Sequence, residues 1–207
     1  MPPLQRWQGE QRRIGLTGGI ASGKSSVGRL LEQQHHLPLL DADVYARQAL
    51  APGSAGTQAV VQRYGAAVQE QPGVINRRAL GAIVFNNPSE REWLEQLVHP
   101  LVRQRFDAEL QRLAQAPVVV LMIPLLFESG LELLCSETWL VDCDQAQQLE
   151  RLMQRDQLSE EEAIARIQAQ WPLERKRDLA DQLISNRGTP NELAAAVQRS
   201  LQAALNP

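Results

Sequence analysis

Eight consecutive residues, Gly18-Gly19-Ile20-Ala21-Ser22-Gly23-Lys24-Ser25, carry the clearest chemistry in the chain, because they have the spacing G-x-x-x-x-G-K-[ST]. Glycines at those positions let successive backbone N–H groups turn inward around phosphate oxygens. A helix starting at Lys24 would add the favourable end of its dipole. Lys24 then brings positive charge to the β- and γ-phosphates, and the Ser25 hydroxyl suits Mg²⁺. The only other lysine in the chain is Lys176, since arginine supplies nearly all the positive charge, so a chance match to this pattern is improbable.

A second group of chemically capable residues is Asp41-Ala42-Asp43. If a strand runs to Asp43, its two-residue period puts both carboxylates on one side, at the edge of the sheet where open α/β folds bind ligands. Asp43 is then a candidate to orient and deprotonate an attacking hydroxyl and to take part in holding the metal, with helix capping at Val44 as its structural role. Arg151 and Arg155 are four residues apart and Arg166 follows, so a closing segment could carry cations onto the phosphates; for Arg166 the competing expectation is a surface pair with Glu162. His99, Arg78 and Glu128 are further candidates for contact with the phosphoryl acceptor.

A GTPase switch would need an aspartate with glycine three residues on, and an Asn-Lys-x-Asp. Neither occurs in the sequence. A phosphotransferase is therefore favoured over a nucleotide-dependent signalling module.

The elements that would position these residues follow from periodicity. A strand is expected over Arg12 to Gly18 and a helix over Lys24 to Gln33, with Val27, Leu30 and Leu31 at helical spacing. Further strands are expected at Leu37 to Asp43, Val118 to Ile123, Thr138 to Cys143 and Gln182 to Ser185, and this alternation argues for a parallel sheet covered by helices on both faces. The connection from Val44 to Ala116 is too long for a simple crossover and reads as a helical insertion, with Asn87 and Pro88 opening a helix that Pro100 breaks or kinks. Ser159 and Glu162 have capping-box spacing ahead of Ile164, Ile167 and Trp171, which would share one face before Pro172 ends that helix.

Composition narrows the class. With 207 residues, 43% apolar content and a net charge of only −3, the chain suits one core and small soluble substrates, and gives no electrostatic footprint for nucleic acid or a membrane surface. The longest apolar run, Ala116 to Phe127, is interrupted by two prolines and falls short of the roughly 20 residues that span a bilayer. Cys135 and Cys143 lack zinc or disulfide spacing and read as reduced, which favours the cytoplasm. The residues before Ile14 read as a short loose lead-in, and the many glutamines as helix-surface residues.

The order and spacing of Leu16 to Ser25, Asp41-Ala42-Asp43 with Ala46-Arg47, His99-Pro100, Pro124-Leu125-Leu126-Phe127-Glu128 and Gln154-Arg155-Asp156 resemble the dephospho-CoA kinase family from about Ile14 onward. The resemblance implies a P-loop kinase fold. Its parts would be a five-stranded parallel core over about 12–47 and 116–207, a helical acceptor-binding insertion over about 48–115 and a lid over about 155–171. It implies ATP and dephospho-CoA as substrates, Ala21 to Ser26 around the ATP phosphates, Asp43 as catalytic carboxylate, Arg155 on the transferring phosphoryl group and Asn186 near adenine. A nucleoside or nucleoside-monophosphate kinase is the alternative. Ala21 stands where glycine is common in the family, so its backbone must tolerate a Cβ.

Overall fold

A computed structural model describes residues 5–203 of the chain. In chain order the elements are β1 (Arg12–Gly18), α1 (Lys24–Gln33), β2 (Leu39–Asp41), α2 (Ala42–Ala49), α3 (Ala55–Tyr64), β3 (Gln69–Gln71), β4 (Val74–Ile75), α4 (Arg77–Asn86) and α5 (Pro88–Arg112). These are followed by β5 (Val118–Met122), β6 (Glu137–Asp142), α6 (Gln145–Asp156), α7 (Glu160–Gln168), α8 (Leu173–Leu179), β7 (Gln182–Ser185) and α9 (Pro190–Ala203). The chain divides into two compact units, one comprising residues 1–40 and 113–207 and the other residues 41–112.

The first unit is built on a five-stranded sheet in the order β2-β5-β1-β6-β7. β1 pairs in parallel with β5 and with β6, placing Ile14 opposite Val120 and Glu137, and β6 pairs in parallel with β7. β1 lies at the centre, and its last five residues are buried. One face of the strand presents Ile14 and Leu16 to a core that takes in Val27 and Leu31 of α1 and Leu193 and Val197 of α9. The other face presents Gly15, where a Cβ would come within 2.7 Å of Cys135 Sγ, so glycine is what lets the chain around Cys135 approach the sheet. Each fully buried aliphatic side chain in this core contributes about 1.5–3 kcal/mol of transfer free energy, enough to fix the central strand and the loop that leaves its end.

The second unit packs Val60, Val68, Ile75 and Leu80 together, with Trp93, Leu94 and Leu97 of α5 against them. Tyr45 of α2 meets Phe106 of α5 edge-on, with ring centroids 5.1 Å apart. Arg63 and Tyr64 both donate to Glu90, and their hydrogen bonds hold its carboxyl down at about 2.

Several expectations are corrected. The second strand ends at Asp41 instead of Asp43, because the Asp41 side chain accepts the Asp43 N–H at 2.8 Å and caps a helix that begins at Ala42. Asp43 is therefore neither a strand residue nor the cap, and the two-residue period does not relate it to Asp41. The insertion is not purely helical: β3 and β4 form an antiparallel hairpin whose turn uses Pro72 and Gly73, the latter at φ +76°. Pro100 does not break its helix, since α5 runs 25 residues through it. The Gln96 carbonyl that loses a donor there belongs to an exposed residue, where water can replace the bond.

α7 ends at Gln168 and leaves Ile164 37% exposed, so its buried residue is Ala163, and α8 follows Pro172 directly. The lead-in, from Gln5 onward, is docked: Trp7 N–H donates to Leu133 O at 3.1 Å, Arg13 lies 3.4 Å over the Trp7 ring, and Gln11 donates to Leu113 O and Ala116 O. Among the described residues, no helix is long and apolar enough to cross a membrane.

Candidate active site

β1 delivers the chain into the loop Gly18–Gly23 and α1 takes it away from Lys24. Two backbone conformations form the bend. Ala21 sits at φ +57° and Gly23 at φ +98°. The left-handed region costs a residue with a Cβ about 1–2 kcal/mol, so Ala21 carries strain that the surrounding contacts must hold in place. At Gly23 the conformation is free of that cost, and a Cβ would in any case fall 1.9 Å from Asn186 Nδ2.

The other two glycines serve close approach. A Cβ on Gly18 would lie 2.4 Å from Ser22 Oγ, and one on Gly19 would lie 2.5 Å from Gln148 Nε2. Ser22 N–H donates to Gly19 O at 3.1 Å, tightening the turn, while Ser22 Oγ is buried with no hydrogen-bond partner among the described residues. Ser25 is exposed in the first turn of α1, with Lys24 half-buried beside it, and Ser26 N–H returns to Gly23 O at 2.9 Å. A glycine-turned loop feeding the N-terminus of a ten-residue helix can serve as an anion site for a polyphosphate, where the helix dipole and the Lys24 charge would act in the same sense.

Two residues that pattern reading assigned to solvated surface hold this loop. Gln148, 3% exposed on α6, donates from Nε2 to Ile20 O at 2.7 Å. Gln170, two residues past α7, accepts the Ile20 N–H on Oε1 at 2.9 Å. Asn186 joins them: its Nδ2 donates to Ser22 O at 2.8 Å, and its own carbonyl accepts from Arg151 at 3.0 Å.

Arg155 lies at the end of α6, 56% exposed, and makes a two-pronged contact with Asp156 at 2.7 and 3.0 Å. Asp156 also accepts from Arg166 at 3.0 Å, and the Arg155 hydrogen bonds hold its carboxyl below the usual range. The expected Glu162–Arg166 pair is replaced by this one, because the Glu162 carboxylate instead accepts the Ser159 N–H in a complete capping box. Glu128 follows β5 and places Oε1 2.7 Å from the ammonium of fully buried Lys176, while accepting the Trp171 N–H at 3.2 Å. That ion pair is one of proximity, since neither Lys176 Nζ nor Glu128 Oε2 has a hydrogen-bond partner among the described residues.

In the second unit, Asp43 is exposed in the first turn of α2, Arg78 is exposed in the first turn of α4, and His99 is exposed on α5. Burial pushes the Cys135 thiol up to about 12 and raises that of Cys143, so neither is a thiolate nucleophile at neutral pH.

These features fit comparisons with known proteins. A sequence model of the family described as dephospho-CoA kinase matches residues 12–192. A dephospho-CoA kinase of Synechococcus sp. (strain CC9605) is 65% identical over 181 residues, covering 87% of each chain. Among solved structures, the TT1252 protein of Thermus thermophilus superposes with a TM-score of 0.84 at 38% identity, over 96% of this chain and 100% of that one. A dephospho-CoA kinase from Campylobacter jejuni does so with a TM-score of 0.67 at 26% identity, over 93% and 96%. With the phosphate loop intact inside a match of that extent, the chain belongs to the dephospho-CoA kinase family.

Proposed function

We propose that this chain transfers the γ-phosphoryl group of ATP to the ribose 3′-hydroxyl of dephospho-CoA, yielding ADP and coenzyme A. The observation that carries the reading is the complete phosphate loop, bent by Ala21 and Gly23 onto the start of α1, in a chain that matches the dephospho-CoA kinase family over residues 12–192. The backbone N–H groups of Ala21 to Ser26 and the Lys24 charge bind the triphosphate and offset the negative charge that spreads over the γ-phosphoryl oxygens during transfer. Asp43 accepts the proton of the attacking hydroxyl as the new P–O bond forms and the bond to the ADP oxygen breaks.

Arg155 supports the transferring group. An exposed arginine–aspartate pair is worth only about 0–1 kcal/mol, so its exchange from Asp156 to a phosphoryl oxygen costs little. Asn186 keeps the loop in shape from the side assigned to adenine. Arg78 and His99 stand as acceptor contacts of the second unit, whereas Glu128 is committed to Lys176.

The exposed Ser25 hydroxyl in the first turn of α1 is a hard oxygen donor of the kind Mg²⁺ takes, with Asp43 as a further oxygen ligand. Bound there with the nucleotide, Mg²⁺ would supply charge neutralisation on the β- and γ-phosphates. The cytoplasm, a reducing compartment, suits the two buried free thiols. A coupled ADP-release assay compares dephospho-CoA with nucleosides and nucleoside monophosphates. Dephospho-CoA should give the highest kcat/KM by at least tenfold, and a preference for a nucleoside monophosphate would overturn the acceptor assignment.

A further inference from the structure

The Ile20 N–H belongs to the peptide plane before its Cα, and the Ile20 carbonyl to the plane after it. Gln170 holds the first at 2.9 Å and Gln148 the second at 2.7 Å, from two different segments of the chain. Together they fix φ and ψ of Ile20, the residue immediately before the left-handed Ala21. We infer that Gln170 and Gln148 act as a two-sided clamp that sets the phosphate loop in its anion-binding form before nucleotide arrives, making both of them positioning residues for ATP. The inference rests on the phosphate-loop reading above.

The clamp is rigid on the Gln170 side. Trp171 N–H is bonded to Glu128 at 3.2 Å, and Lys176, in the helix that follows, is fully buried with its ammonium 2.7 Å from the same carboxylate. Gln170 is thus anchored to the loop that follows β5 and does not move freely with α7. Gln148 is anchored by its own burial on α6, at 3% exposure. The strain at Ala21 gives the clamp its purpose. A loop containing a residue that disfavours its own conformation relaxes unless its neighbours are held, and a relaxed loop must be reordered by the nucleotide at the expense of affinity.

Each hydrogen bond of this kind contributes enough to change affinity by about 2- to 10-fold. The two act on one residue, so releasing either plane removes most of the value of the other, and their losses should not multiply. The experiment is a double-mutant cycle of Gln170→Met and Gln148→Met, which keep side-chain length and remove the hydrogen-bonding group. Binding of the β,γ-imido analogue of ATP with Mg²⁺ is measured by titration calorimetry, and amide exchange at Ile20 is read in the free proteins.

Each single variant should bind about 2- to 10-fold more weakly, and the double variant about as weakly as the worse single one. Ile20 exchange should accelerate in Gln170→Met and stay protected in Gln170→Glu, which keeps an acceptor oxygen. KM for ATP should rise while KM for dephospho-CoA does not. Wild-type affinity in the single variants, multiplying losses in the double variant, or unchanged Ile20 exchange in Gln170→Met would each overturn the clamp. Failure of the wild-type protein to bind the analogue at all would instead overturn the phosphate-loop reading on which the clamp depends. If Gln170→Met does not fold, Gln148→Met alone must still show the affinity loss.

Discussion

Replacing Glu128 with glutamine isolates the charge in the buried pair with Lys176. Glutamine keeps an oxygen that can accept the Trp171 N–H, so the change removes little but the negative charge facing an ammonium that is 0% exposed. Stripping one partner from a buried ion pair typically costs about 3–5 kcal/mol, because the remaining charge stays out of water without compensation. Glu128 is itself only 15% exposed, so solvent screens the pair weakly and the full range applies. Against a total stability of about 5–15 kcal/mol, that is about a fifth or more, and it should lower Tm by roughly 6–20 °C.

The double variant Glu128→Leu with Lys176→Met removes both charges together. Among the described residues neither Lys176 Nζ nor Glu128 Oε2 has a hydrogen-bond partner, so the native pair is incompletely compensated and its apolar replacement should lie within about 1–2 kcal/mol of wild type, with the lost Trp171 bond as the main debit. Urea unfolding of wild type, both single variants and the double variant decides it. A Glu128→Gln protein within 1 kcal/mol of wild type, or a double variant as unstable as the sum of the singles, refutes the reasoning. So does an unchanged stability joined to a raised KM for dephospho-CoA, which would make Glu128 an acceptor contact.

Lys24→Ala should lower turnover by at least about 100-fold at saturating Mg·ATP while the protein stays folded, as measured by steady-state ADP release and circular dichroism. Asp43→Asn should lower kcat by about 10² to 10⁴ and change Mg·ATP affinity much less, since the asparagine side chain keeps an oxygen for the metal. Because Asp41 and not Asp43 caps α2, its stability cost in urea should stay within the about 0.3–1 kcal/mol that a first-turn carboxylate gains from the helix dipole. Ala21→Gly should stabilise the protein by about 0.5 kcal/mol, the left-handed strain relieved being partly offset by the greater freedom of glycine when unfolded. A loss above 1 kcal/mol in the same urea experiment would show that the Ala21 methyl makes contacts outweighing its strain.

The phosphate loop, β1 and α1 were legible to the residue because local signals agree there: apolar run, glycine turn and helical period all break at the same places. Asp41 and Asp43 were harder. Their spacing suits a strand, but a side chain that can cap its own next turn ends the strand two residues sooner. The hairpin at Pro72-Gly73 left a usable turn signal in the sequence, and the flanking strands of three and two residues were too short to show a period.

Gln148 and Gln170 could not be found by pattern, since each is one glutamine among many on apparently polar helix surfaces and gains its meaning from a backbone group more than a hundred residues away in sequence. Arg166 shows the same limit in reverse. A local pair with Glu162 was readable, but the capping box claimed that carboxylate and Asp156 took the arginine.

The most direct test of the proposed transfer is the identity of the product. Purified protein is incubated with Mg·ATP and dephospho-CoA, ADP is quantified, and the phosphorylated product is examined by phosphorus NMR and mass spectrometry. One ADP should form per acceptor consumed, with a single new phosphomonoester on the ribose 3′-oxygen, and turnover should fall by at least about 100-fold in Lys24→Ala. ADP formed without a phosphorylated acceptor, or a phosphate carried on any other oxygen, would contradict it.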